Sequence, residues 1–180
     1  MLFVKICLIA VLGVIFYQDY RSRAVSLFLF VLAILLLGGL HFFQADRPVF
    51  RISIGINLGL ISIILGILYL YSRFKLRSAF INGSFGAGDL FFFIAVALGF
   101  PSVTFVVLFT FSIIFSLLLH SFPVSRNFFK PVPVKTGEPV SGRNPTEPQQ
   151  TVPLAGYMAL FFIVVFTFSL FFDSPSLYLT

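Results

Sequence analysis

Acid–base chemistry in this chain rests on few side chains. The carboxylates are Asp19, Asp46, Asp89, Glu138, Glu147 and Asp173, the imidazoles His41 and His120, and the single thiol Cys7. One cysteine makes no internal disulfide, and there is no CxxC pair to hold zinc. Two acids stand out by their neighbours. Asp89 lies in Phe85-Gly86-Ala87-Gly88-Asp89-Leu90, where two glycines spaced by one residue permit close backbone approach or a positive φ ahead of a helix. Asp19 opens Asp19-Tyr20-Arg21-Ser22-Arg23. Two carboxylates brought within a few ångströms cannot both ionise, so one keeps a proton that the other lacks. Such a pair activates a water and protonates a leaving amine, which is the chemistry of peptide-bond hydrolysis. Each acid also has a plainer role: Asp is a preferred helix N-cap, and charges at the ends of membrane spans are usual.

The elements that must position these acids are set by composition. Hydrophobic residues make up 59% of the 180, Phe alone occurs 27 times, and only 10% are charged. A soluble domain of this length exposes too many residues to hide that much apolar surface, whereas lipid removes the difficulty. The net charge of +6 would suit nucleic acid, but the basic residues are scattered between apolar runs, and membrane topology accounts for them without a nucleic-acid partner.

The expected fold is an all-α, polytopic membrane bundle of about six transmembrane helices in a single domain. A crossing takes roughly 20 apolar residues. The spans read as Leu2–Tyr17, Val25–Phe43, Ile52–Tyr71, a short fourth span from Leu90, Ser102–Phe122 and Val152–Phe172. The run Leu90–Phe122 as one helix would be about 50 Å long at about 1.5 Å per residue, against a hydrocarbon core of about 30 Å. It divides at Gly99-Phe100-Pro101, because a proline disfavours a helical residue before it. The first span lacks a strong basic flank and an Ala-x-Ala site, and reads as a retained helix rather than a signal peptide.

Arg21 and Arg23, then Arg73, Lys75 and Arg77, then Arg126, Lys130, Lys135 and Arg143 place nine of the twelve basic residues in alternate loops. The positive-inside rule assigns those loops to the cytoplasm and both termini to the outer side of the cytoplasmic membrane. The loop 123–151 carries six prolines among polar residues and reads as a mobile segment. In this topology Asp46 and Asp173 lie outside and both glutamates lie in the mobile loop, so only Asp19 and Asp89 share helix ends on the cytoplasmic face. His41 reads as an interface residue at the outer end of the second span, and His120, near the cytoplasmic end of the fifth, as a snorkelling residue or, second to that, a contact of the two acids. Asn57 and Gln18 are suited to hydrogen bonds between helices. Phe91-Phe92-Phe93 and Phe161-Phe162 are lipid-facing or packing surface.

Gly86-Ala87-Gly88-Asp89 reads as the GxGD motif of intramembrane aspartyl proteases. Asp19-Tyr20-Arg21-Ser22-Arg23-Ala24-Val25, about seventy residues earlier, resembles the Asp-Leu-Arg-x-Arg-x-Ile stretch after the first helix of type IV prepilin peptidases. Thr151-Val152-Pro153-Leu154-Ala155-Gly156 is similar to that family's Pro-containing approach to its last helix. The resemblance runs in order through nearly the whole chain.

It implies that Asp19 and Asp89 are the catalytic pair, that Gly86 and Gly88 shape the backbone beside Asp89, and that Arg21, Arg23 and Pro153 support the substrate or the acids. It implies removal of the leader from a prepilin-like membrane substrate at the cytoplasmic face, with no metal or cofactor. The bifunctional members add a zinc-binding region with paired cysteines. This chain has neither those cysteines nor that length, and resembles the short, peptidase-only form of tight-adherence pili or archaeal flagellin processing. Phe91 stands where the family usually carries Lys, and Val25-Ser26-Leu27 where Ile-Pro-Asn is common. Presenilin-like proteases share GxGD but are much longer. The rival reading is a non-catalytic membrane assembly component, or a degenerate family member that binds pilin-like helices.

Overall fold

The computed structural model describes residues 2–22, 25–71, 73–74, 86–121 and 154–171. These form six α-helices: α1 (Leu2–Ser22), α2 (Leu27–Gln44), α3 (Arg47–Tyr71), α4 (Ala87–Gly99), α5 (Ser102–Ser121) and α6 (Leu154–Phe171). All but α4 are long and apolar enough to cross a membrane. Large apolar side chains such as Phe3, Phe28, Leu35, Val103 and Phe171 lie exposed on the bundle surface. Water would penalise that surface, and hydrocarbon does not. The chain is an all-helical, multi-pass membrane protein.

The boundaries differ from the sequence expectation where a charged residue continues a helix. α1 runs past Tyr17 to Ser22, so Asp19 sits inside its last turns rather than beyond its end. α3 starts at Arg47, five residues before the expected Ile52, with the Asp46 carbonyl accepting from the Phe50 N–H at 2.8 Å. Pro48 is tolerated there because the first-turn amides have no intrahelical acceptor anyway.

The fourth span is shorter than a crossing. α4 has 13 residues, about 20 Å at about 1.5 Å per residue, against about 30 Å of hydrocarbon. It ends at the expected break: Phe100 is extended at φ −142° and ψ 152°, as Pro101 demands. α5 then begins, with the Phe105 N–H donating to the Pro101 carbonyl at 2.8 Å.

α4 is enclosed by its neighbours. Its residues Phe92, Phe93, Ala95, Val96, Ala97 and Gly99 are buried. The most extensive pairings are α1 with α6 and α2 with α4, while α5 packs on α6 and α3 on α4 and α5. A Cβ on Gly99 would lie 3.0 Å from Leu37 Cβ, which shows how closely α2 and α4 approach. The Phe-rich runs divide between core and periphery. Phe92 packs on Phe162 at 6.0 Å between ring centroids, Phe100 stacks on Phe162 at 5.8 Å, and Phe93 meets Phe109 edge-on at 4.9 Å. Phe91 and Phe161 are half-buried.

Gln18, Asn57 and His41 are among the polar residues that join helices. Gln18 Oε1 accepts from the Ser26 N–H at 3.0 Å, closing the α1–α2 turn. Asn57 of α3 is fully buried, and its Nδ2 donates to the carbonyls of Ala97 at 2.9 Å and Phe100 at 2.8 Å. His41 is also fully buried rather than interfacial. Its Nδ1 lies 3.0 Å from the Leu98 carbonyl, an acceptor that requires the imidazole to donate, and its ring packs edge-on against Phe50. A helix that ends among apolar neighbours leaves unpaired carbonyls, and this demand draws His41 inward.

Candidate active site

Three helix ends meet at one end of the bundle: the C-terminal turns of α1 and the N-termini of α4 and α6. The first N–H groups of any helix have no acceptor within it. In α6 two of these orphan donors are satisfied by carboxylates from other helices. The Ala155 N–H donates to Asp89 Oδ1 at 2.8 Å, and the Gly156 N–H donates to Asp19 Oδ2 at 2.6 Å. Residues 70 apart in sequence thus occupy consecutive peptide groups of a third element. The positive end of the α6 dipole faces both acids, which favours negative charge there.

Asp89 is not the N-cap of α4. Gly86 holds that position in an extended conformation, φ −74° and ψ 133°, and Asp89 is the third helical residue. From there its side chain reaches back over Gly86. A Cβ on Gly86 would lie 3.0 Å from Asp89 Oδ2, and the Gly86 N–H is a further donor to the carboxylate. The arrangement is the second half of a capping box. Gly86 is therefore needed for close approach, since its φ is negative. Gly88 serves packing instead: a Cβ there would meet Phe30 Cζ at 3.2 Å.

Asp19 is 9% exposed, while Asp89 is half-buried beside exposed Gly86 and Ala87. The two acids act on one another electrostatically. The site is exposed on the side of Gly86 and Ala87. A pair of carboxylates held this way can share a proton and polarise a water between them.

Of the other residues marked by sequence, Arg21 is turned along its own helix. Its Nη1 donates to Tyr17 Oη at 2.7 Å, its guanidinium lies over the Tyr17 ring, and it is exposed. Arg23, Pro153 and the loop 123–151 lie outside the described residues. His120 is exposed in the last turn of α5. Among the described residues no three His, Cys, Asp or Glu side chains gather as a metal site requires.

The sequence marks the segment Thr151–Gly156 before the last helix but assigns a role there to Pro153 alone, not to Ala155 and Gly156. A Cβ on Gly156 would lie 2.8 Å from Asp19 Oδ2 and 3.1 Å from Asp19 Cβ. The signal was present as two consecutive small residues at the start of an otherwise bulky span, Ala155-Gly156 before Tyr157-Met158.

The chain matches no known family model, no curated protein and no solved structure. The fold defines a multi-pass membrane protein with, among the described residues, five candidate spans and a sixth, shorter apolar helix. At one end it carries a pair of carboxylates bound to the same helix N-terminus.

Proposed function

We propose that the protein is an intramembrane aspartyl endopeptidase that removes the leader peptide from prepilin-like membrane substrates at the cytoplasmic face. The observation that carries this reading is the meeting of Asp19 and Asp89 on the adjacent amides of Ala155 and Gly156. One carboxylate takes a proton from water as that water attacks the scissile carbonyl, and the protonated partner delivers its proton to the leaving amine. The resemblance to GxGD and to the Asp-x-Arg-x-Arg stretch supplies the substrate class.

The same two hydrogen bonds also cap α6, and that capping would serve a non-catalytic component that binds pilin-like helices. Asparagine separates the two readings, because Asn keeps an acceptor oxygen for each amide and loses the titrating group. A prepilin is co-expressed with the wild type, Asp19→Asn and Asp89→Asn, and its N-terminus is read by mass spectrometry. Leader removal by the wild type alone, with all three proteins inserted at equal levels, is the expected result. Equal processing by all three would rule out catalysis by this pair. An intact leader in every case, across several pilin-like substrates, would favour the binding component.

A further inference from the structure

We infer that Asn57, with His41, is a positioning residue: it clasps the C-terminal carbonyls of α4 inside the bundle and thereby sets where Asp89 stands at the other end of that helix. This inference rests on the peptidase reading for its catalytic consequence, but the clasp itself is a property of the fold.

α4 is too short to carry its own ends to both membrane surfaces, and its C-terminus stops ten residues into α3, opposite Asn57. The last carbonyls of a helix have no intrahelical donor, and hydrocarbon offers none. Three of them are satisfied by side chains: Ala97 and Phe100 by Asn57 Nδ2, and Leu98 by His41 Nδ1. The donors come from two different helices, α3 and α2. They therefore fix both the depth of α4 and its rotation about its own axis. Asn57 Oδ1 has no hydrogen-bond partner among the described residues, so the amide acts here as a donor only.

Asp89 lies nine residues before Leu98, about 14 Å away along a helix rising about 1.5 Å per residue. Among the described residues, its own end of α4 is tied across helices by the hydrogen bond from the Ala155 N–H. Apolar packing opposes sliding without direction, whereas polar contacts add a geometry that only one depth and rotation satisfies. The clasp supplies those contacts, and an ångström of movement there becomes an ångström at the carboxylate.

The test uses Asn57→Leu, nearly isosteric and without donors, and His41→Phe, a smaller lesion that keeps a ring against Phe50. Two readouts are taken in native membranes. The first is oxidative cross-linking of Gly38→Cys with Leu98→Cys in a Cys7→Ser background, because a Cβ at residue 38 lies 3.9 Å from Leu98 Cβ, a disulfide spacing. The second is prepilin cleavage, resolved into kcat and KM. The expected result is a slower, less complete cross-link in both variants. With it comes a kcat lower by about 10- to 100-fold at unchanged KM, the size of effect that small misplacement of a reacting group produces.

Parental cross-linking and parental kcat in Asn57→Leu would overturn the assignment. So would lost cross-linking with cleavage unchanged, since α4 would then move without moving Asp89. If Asn57→Leu fails to insert, His41→Phe decides by the same criteria. If the wild type cleaves no prepilin, the peptidase reading fails separately, and cross-linking alone decides whether Asn57 holds α4.

Discussion

Asp19 and Gly156 are held in a contact with no room for a side chain between them. The Gly156 N–H donates to Asp19 Oδ2 at 2.6 Å, and a Cβ at residue 156 would intrude to 2.8 Å from that oxygen. The contact joins α1 to α6, the helices that pack on each other most extensively. Its closeness makes it a sensitive probe of the site.

A disulfide should form across this contact. A Cβ at residue 156 lies 3.1 Å from Asp19 Cβ, slightly inside the roughly 3.8 Å that a disulfide prefers. In a Cys7→Ser background, Asp19→Cys with Gly156→Cys is expected to oxidise readily. Neither single variant should give the product. A mass decrease of two hydrogens in the intact protein reports it, and its absence under oxidant would refute the α1–α6 register.

Gly156→Ala should damage activity far more than folding. The new methyl group pushes the Asp19 carboxylate off the amide, and the apolar α1–α6 contact remains. A fall of about 100-fold in prepilin cleavage is expected, since an ångström of misplacement carries a cost of that order. Equal cleavage by Gly156→Ala and wild type would mean that Asp19 works from another position.

The two glycines of the GxGD motif should respond differently. At Gly88 a methyl group meets only the tip of the Phe30 ring at 3.2 Å, and alanine gains helix propensity of up to about 1 kcal/mol over glycine. Gly88→Ala is expected to keep cleavage within about threefold, a change of less than about 1 kcal/mol in the barrier. Gly86→Ala places its methyl group 3.0 Å from Asp89 Oδ2 itself, and should lower kcat by about tenfold or more at unchanged KM. Matched losses in the two variants would contradict this division of labour.

Cleavage should be confined to a pH window. A pair that works with one proton loses its general base when both groups are protonated and its general acid when neither is. The two limbs belong to the coupled pair rather than to either residue. Initial rates measured in membranes between about pH 4 and pH 9 should rise and then fall. A flat profile across that range would exclude a shared-proton mechanism.

Apolar run length, basic-residue spacing and Pro101 sufficed to read the all-helical membrane class and the break between α4 and α5 from sequence. Helix ends were less legible. Asp19 reads as the close of the first span and Arg21 as a loop residue because charge usually ends a span, yet the α1 helix continues through both, with Asp19 bound by an amide from α6. His41 looked interfacial for the same reason, and its acceptor is a carbonyl 57 residues away that no local pattern reveals. The pairing of Asp19 and Asp89 was legible because few acids exist to choose from. The helix that binds both was not, because its contribution is two backbone amides and a missing side chain.

That contribution has a consequence in time. Gly156 is made 137 residues after Asp19 and Ala155 66 residues after Asp89. At about 5–20 residues per second, several seconds of translation separate the second acid from the helix that holds it. Until α6 docks, neither carboxylate has its amide from that helix. A chain stalled or truncated before residue 154 carries both acids but lacks the helix N-terminus on which they meet.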